Sequence, residues 1–467
     1  MFNFLVSEKL ATLAKIVWPI IFTSLLMYSK SFISTLFLGY LGDAALSGGS
    51  LSLGFANITG YSVLKGLAMG MEPICHQAYG AKRWPLMISA YRKTLTLLLF
   101  ASILISMLWL NMEPILVWMG QDQTIISVAK IYIKFSIPDL IALASYHPLK
   151  TFLRTQNINR PLTISMTVAM LLHYPINYFL VVYLSLGVKG VALASAWNSV
   201  NINLGVLIYL LLSKSVIKPW SGGTDGGFSD GWKSLLALVC PSVLSVCLEW
   251  WCYEILILLS SLVKNPQANV AAMGILIQTT SFLYAFPFSL SSGLSIQVGH
   301  ELGADQPEKA KQTAIVGFMV AALWGILAFL FTIAIKDVWG KLFTSDAMIL
   351  GLTSTVLPIL GFCELGNSPQ TAACGILVGS ARPKMGCWIN FVSFYLIGLP
   401  TAALLTFQFK MGFVGLWYGL AAAQASCICM MICTLIRTDW MQQASRAKEL
   451  TREREDGTND LEGPLLQ

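Results

Sequence analysis

Residues 246–259 read VCLEWWCYEILILL, and the two glutamates in that apolar run, Glu249 and Glu254, are the side chains best placed to do chemistry. An ionised carboxylate at the centre of a membrane span costs about 2.5–3.5 kcal/mol or more, so it faces protein or water and pairs with something. Two readings follow for Glu249: a carboxyl that takes up and releases a proton or accepts a cation, or a polar link between helices. Glu254 lies five residues on, about 140° around a helix. That angle predicts that the two cannot share one narrow cavity, and leaves Glu254 as a second coupling candidate or as a polar link near the membrane surface.

A third acid, Glu364 in GFCELGNSPQ, shares a helix face with Asn367 at i+3. Pro358 and Pro369 flank it, which predicts a bent or locally unwound segment, tolerated at membrane depth where it lines a cavity. Tyr28, Trp250, Trp251, Tyr253 and Tyr284 either offer π faces to a cationic solute or pack as interface anchors, and Gln278 is a hydrogen-bonding candidate. Lys30, Lys65 and Lys134 fall within apolar stretches, where each either snorkels to an interface or faces inward; Asp139 is the acid available to pair with a lysine there.

The chemistry that is missing narrows the class. There is no Walker loop, no HExxH and no compact His/Cys/Asp cluster. His76, His147, His173 and His300 are scattered, and the ten cysteines lack paired metal spacing and read as small packing residues. These features predict no enzyme, no cofactor and no metal.

The elements that must hold these residues are membrane helices. Of the 467 residues 56% are hydrophobic and only 11% charged, against roughly 25% charged in soluble domains. Twelve apolar stretches, each near the roughly 20 residues a span needs, run from residue 14 to 437: 14–40, 48–75, 91–117, 125–146, 161–184, 190–213, 233–261, 268–297, 311–335, 350–378, 385–407 and 413–437. The net charge of +7 concentrates in alternate connections. By the positive-inside rule that pattern puts both termini in the cytoplasm and makes the basic balance a topology signal, with the bilayer rather than nucleic acid as partner.

A Gly-rich stretch, KSVIKPWSGGTDGGFSDGWK, divides the chain near its middle. A displacement of about 220–225 residues aligns Pro19 with Pro241, QAYGAK (77–82) with HELGAD (300–305), Pro138 with Pro358, and Pro175 with Pro400. Matches in one order at one offset define an internal repeat. Six spans per copy is an even number, so the copies insert in parallel and are related by an axis along the membrane normal. The expected organisation is a first lobe over 1–213, an inter-lobe linker over 214–232, a second lobe over 233–437 and a cytoplasmic tail over 438–467. Under the repeat Glu249 meets Met27, so an acid on these helices belongs to the second lobe alone; Met27 and Tyr28 become candidate solute contacts opposite it.

FLGYLGDAALSGGSL, GLAMGMEPICHQAYGAKR, CLEWWCYE, QVGHELGADQPEKA and CELGNSPQTAACGILVGSARPK together resemble the multidrug and toxic compound extrusion (MATE) transporters of the plant DETOXIFICATION group, over nearly all of residues 14–437. The resemblance implies an all-α fold of twelve transmembrane helices in two pseudo-symmetric six-helix lobes around a central cavity, and proton-coupled export of small organic solutes. It further implies a proton-linked acid on the seventh helix, at Glu249, and a bend in the first helix at Pro19. The pattern departs at the tenth helix, where the family's acid falls on Asn367 and this chain carries Glu364 one turn earlier. Gln278 stands where some relatives have an acid. Solute contacts are expected from Met27, Tyr28, Trp250, Tyr253, Gln278 and Asn367, coupling from Glu249, Glu364 and Glu254, and helix bends at Pro19 and Pro241. The working unit is expected to be a monomer in an endomembrane (Golgi, late endosome or vacuole) or the plasma membrane; Leu465 and Leu466 with Glu462 form an imperfect dileucine sorting signal. The alternative reading, a lipid-linked oligosaccharide flippase of similar build, requires Lys30, Lys65 and Lys134 all to face inward.

Overall fold

The computed structural model of the chain describes residues 2–118, 123–212 and 231–452. Most of the Gly-rich linker, the terminal Leu465–Leu466 motif and the rest of the tail beyond 452 lie outside them. The described residues form helices only. In order the spans are Phe2–Tyr40; a composite second span of Asp43–Ala56, Asn57–Tyr61 (π), Ser62–Met69 and Glu72–Gly80; then Trp84–Leu110, Gln123–Thr155, Arg160–Tyr183 and Val188–Leu212. The second lobe follows with Trp232–Ser261, Pro266–Gly303, Pro307–Ile335, Ala347–Gly379, Pro383–Gln408 and Phe413–Ile436. Twelve spans therefore stand as the sequence predicts. Ten are long and apolar enough to cross a membrane on those grounds alone. The other two are the second, diluted by serine, glycine and Asn57, and the fourth, which carries Lys130, Lys134, Asp139, Lys150 and Arg154. Both line the cavity described below.

Proline starts and left-handed stops set the boundaries. Five spans carry proline in their first two positions, where the missing N–H has no intrahelical partner to lose. Seven non-glycine and four glycine residues have positive φ. Ten of these eleven fall into five pairs at offsets of 223–225: Gly42 with Asn265, Lys82 with Asp305, Asn157 with Ala381, Ser185 with Lys410, and Gly187 with Gly412. Each follows a span. The capping bonds repeat as well: Arg83 N–H donates to the Ala78 carbonyl and Gln306 to Glu301, both at 2.8 Å, as Ile158 donates to Leu153 (3.0 Å) and Arg382 to Leu377 (2.8 Å). This six-to-one closure satisfies carbonyls that a helix end leaves bare. The repeat is thus written in the backbone at positions where the side chains have diverged.

The two lobes meet by reciprocal contacts. Gly80 sits against the backbone of His300, and Gly303 against the backbone of Gln77, its partner at the same offset of 223. Gly70 packs on Val239 and Gly293 on Val17, the equivalent pair deeper in the membrane. Mutual contact of equivalent patches is the mark of a two-fold relation. The seam at residues 77–80 and 300–303 is reinforced by the Gln77 side-chain amide donating to the Gly379 carbonyl (2.9 Å) and by an ion pair from Lys9 to Glu301, a carboxylate that also accepts from Thr313 (2.7 Å) and Gln297 (2.9 Å). A final helix, Trp440–Arg452, buries Trp440, Ala444 and Ala447 in the apolar cluster at this same end. Trp18, Leu211, Leu262 and Ile436 are strongly exposed on the outer surface, as a lipid-facing belt requires.

One expectation about helix shape needs correction, the local unwinding of the tenth span. The tenth span is a continuous α-helix from Ala347 to Gly379 through both Pro358 and Pro369, with no unwound stretch. Each proline removes one backbone donor, and the tight packing of both faces holds the helix together around it. Pro19 and Pro241 also lie inside continuous helices, which a proline bend does not interrupt. The π segments occur elsewhere: one follows Pro175 at Tyr178–Tyr183 and another follows its partner Pro400 at Leu404–Gln408.

Candidate functional site

Two contiguous hollows lie between the lobes. The wider, about 600 Å³, is bordered by Met27, Tyr28, Tyr61 and Asp139 of the first lobe and by Trp250 and Tyr253 of the second. The narrower, about 90 Å³, continues toward the seam and takes in Glu72, His76, Ser245, Ser295 and Thr371. Lys65, His147, Lys150, Arg154 and Glu249 line both.

Glu249 and Glu254 both border the wide hollow, as do Trp250 and Tyr253 between them. Of the two glutamates the narrow hollow takes Glu249 alone, as the angle predicts for a narrow cavity, while the wide one is broad enough to take an arc of about 140° of one helix. Glu249 borders both hollows beside Tyr284 and Lys65 and lies in the field of Lys65. Lys65 does not snorkel. Its Nζ sits 4.8 Å from the ring centre of Trp250 and 4.4 Å from that of Phe288, both in the opposite lobe. The second span can deliver Lys65 here because Gly66 and Gly70 bring its backbone against Val243 and Val239.

The first lobe builds a closed polar network. Lys30 donates to Asp139 Oδ1 (3.2 Å) and to Ser199 (3.1 Å), Ser199 donates to the same carboxylate oxygen (2.5 Å), and the Tyr61 hydroxyl donates to Oδ2 (2.9 Å). Asp139 is 3% exposed. The pairing expected between Lys30 and Asp139 is present, and it occupies the lysine. Lys134 is exposed on the outer surface. The condition for a flippase, three inward lysines, is therefore not met.

Other residues singled out from the sequence lie elsewhere. Glu364, 1% exposed, and Asn367 border neither hollow. Asn367 donates to Glu364 Oε2 (3.0 Å) and its carbonyl oxygen faces the Gln424 amide (3.5 Å), so the pair is held inside the second lobe between the tenth and twelfth spans. Gln278 is exposed and off the cavity wall, and accepts from the Tyr28 hydroxyl across the lobes (2.8 Å). Trp251 donates to the Ile58 carbonyl in the π segment of the second span (3.2 Å), a further inter-lobe contact.

Sequence reading missed Glu72, His147, Lys150 and Arg154. The last two were absorbed into the topology signal at a span end, yet their i, i+4 spacing on the fourth span puts both on the cavity face. His76 and His300, far apart in sequence, meet edge-to-face with ring centres 6.3 Å apart, and Tyr79 stacks on His300 at 4.5 Å.

Comparison with known proteins accounts for this architecture. A family model described as MatE matches twice, over residues 19–179 and 241–404, so the two matches are displaced by 222 residues at their starts and 225 at their ends. Protein DETOXIFICATION 53 of Arabidopsis thaliana is 54% identical over 96% of this chain and 92% of its own length, and Protein DETOXIFICATION 48 of the same organism is 52% identical over 95% and 83%. The crystal structure of the eukaryotic MATE transporter AtDTX14 superposes with a TM-score of 0.91 at 29% identity, covering 96% of this chain and all of that one. With its doubled family match, its extensive identity to DETOXIFICATION proteins and its twelve helices around an inter-lobe cavity, the chain belongs to the MATE family, a family of multi-pass membrane transporters and not of enzymes.

Proposed function

We propose that this protein is a proton-coupled antiporter that exports organic solutes from the cytosol by alternating access between lobes 1–213 and 233–437, joined by the linker at 214–232, with both termini cytosolic and a single chain as the working unit. The observation that carries the reading is Glu249: a carboxyl on the seventh span, bordering the inter-lobe cavity and facing Lys65 of the other lobe. The seam at 77–80 and 300–303 closes one end of that cavity, and the hollow widens away from it. Positive-inside topology makes the closed end cytosolic. A proton arriving from the open side neutralises Glu249 and removes the attraction that draws Lys65 toward the second lobe. Coupling follows when proton and solute favour different arrangements of the lobes. Glu254, on the same wall, is the second coupling candidate; Glu364, held by Asn367 off the cavity, is the third.

The test is solute-driven proton flux in proteoliposomes over a panel of organic cations, anions and neutral metabolites, with wild type beside Glu249→Gln. Flux that vanishes in the folded variant supports the assignment. Equal flux in both removes Glu249 from the mechanism.

A further inference from the structure

We propose that the inner end of the cavity is an anion subsite, built by Lys65, Lys150 and Arg154, that takes the carboxylate of an aromatic organic acid whose ring lies against Tyr284 and Tyr61. The inference rests on reading this cavity as the solute site and adds the charge class of the solute.

Three observations carry it. First, the aromatic cage that would hold an organic cation is already filled from within: Lys65 Nζ lies over Trp250 (4.8 Å) and Phe288 (4.4 Å). A second cation there would meet a like charge in a medium of low dielectric, where repulsion is strong. Second, Arg154 is 9% exposed, and although its Nη2 donates to Thr23 (3.0 Å), its Nε is buried with no acceptor. A guanidinium is shaped to bind a carboxylate through two parallel N–H donors, so a ligand carboxylate supplies the missing acceptor. Third, the charges do not balance. Around the narrow hollow Lys65, Lys150 and Arg154 face Glu72 and Glu249, three positive against two negative, an excess of one at this end; Glu254 lies farther out, on the wall of the wide hollow. The described ion pairs Lys9–Glu301, Lys30–Asp139, Lys130–Glu113 and Lys448–Asp305 leave all three of these cations aside. Lys150 Nζ has the Tyr146 ring at 5.7 Å as its recorded contact. One monovalent acid restores neutrality, and the hydroxyls of Thr151 and Ser245 border the same narrow end.

The experiment measures equilibrium binding to the purified full chain in nanodiscs, at one pH and with no gradient, using 1-naphthoate, 1-naphthamide and 1-naphthylmethylammonium, which share a ring and differ in charge. Naphthoate is expected to bind about ten-fold or more tighter than the ammonium compound, and Arg154→Gln and Lys150→Gln each to weaken naphthoate about ten-fold while leaving naphthamide within about two-fold. Lys134→Gln, off the cavity, is expected to match wild type. Should Arg154→Gln fail to fold, Lys150→Gln and Lys65→Gln carry the comparison. Tighter binding of the ammonium compound, equal binding of all three, no binding of any to folded protein, or variants that shift acid and amide alike would each overturn the proposal. Because no proton gradient is present, failure here leaves coupling at Glu249 standing, and failure of Glu249→Gln to abolish flux leaves this charge preference standing.

Discussion

Gly303 offers a direct measure of what the inter-lobe seam contributes. A methyl group at this position would lie 2.8 Å from the carbonyl carbon of Gln77 and 2.9 Å from its Cα, with the carbonyl oxygen nearer still. Carbon atoms rest about 3.5–4.0 Å apart, so with the carbonyl oxygen closest of all Gly303→Ala must part the two helices by more than about 1 Å, and the obstacle is backbone that has no rotamer to escape into. Overpacking of this kind costs about 1–3 kcal/mol, a change of about 5–150-fold in the ratio of sealed to open protein. Cys75, fully buried two residues before Gln77, is a native reporter. Peptide-resolved maleimide labelling should show Cys75 reacting faster in Gly303→Ala by that factor, with a similar gain in Gly80→Ala, whose methyl would lie 2.9 Å from the His300 carbonyl carbon. Gly351→Ala, with nothing within 4 Å of its methyl, is the control. Wild-type labelling of Cys75 in both seam variants would refute the claim that these two glycines set the closure.

The other predictions use the same logic at different sites. Asp139→Asn leaves Lys30, whose side chain is 12% exposed, without its counter-charge; the loss is expected to be about 3–5 kcal/mol in denaturant melting, and Lys30→Met with Asp139→Leu to recover most of it. Glu301→Gln unpairs Lys9 across the lobes; the side chains of this pair are as buried as those of Lys30 and Asp139, so the loss is expected to reach about 3–5 kcal/mol and Cys75 labelling to rise at least as much as in Gly303→Ala. Glu364→Gln keeps an oxygen to accept from Asn367, so its solute-driven proton flux should stay within about three-fold of wild type, a change of under 1 kcal/mol; loss of flux there would move coupling to the tenth span.

The span count, the repeat and the place of the seventh-span acid on the cavity wall were legible because each rests on a property that survives in one dimension: apolar length, offset and a carboxyl among hydrocarbons. Residues outside that description were misread. Lys150 and Arg154 sit near the end of a stretch and look like interface charges, yet the described helix continues to Thr155 and turns both toward the hollow. Flanking prolines suggest unwinding and a cavity place for Glu364, yet it borders neither hollow. A proline states only that one donor is missing, and whether the helix opens there is decided by what packs around it. Glycine showed the reverse limit: Gly66 with Gly70 predicted a close helix contact, but only the structure names Val243 and Val239 as the other side.

The five pairs of left-handed stops show that the two halves are near-copies in backbone, while the polar groups on that backbone do opposite things. In the first lobe the acid, Asp139, is saturated by Lys30, Ser199 and Tyr61, and such a network is costly to disturb, which makes it a fixed wall. In the second lobe the acid, Glu249, faces the cavity and answers to a lysine that belongs to the other half. A carboxyl whose counter-charge sits within its own lobe cannot report on how the lobes are arranged. One whose counter-charge sits across the seam must, because any movement between the lobes changes the distance that sets its affinity for a proton. On the proposed mechanism symmetry supplies the hinge and broken symmetry the coupling, so moving the acid to the equivalent position, Met27→Glu with Glu249→Met, should keep the fold and lose the proton dependence. A double variant that still exchanges protons for solute at the wild-type rate would show that the cavity needs only an acid, and not an acid on the far side from Lys65.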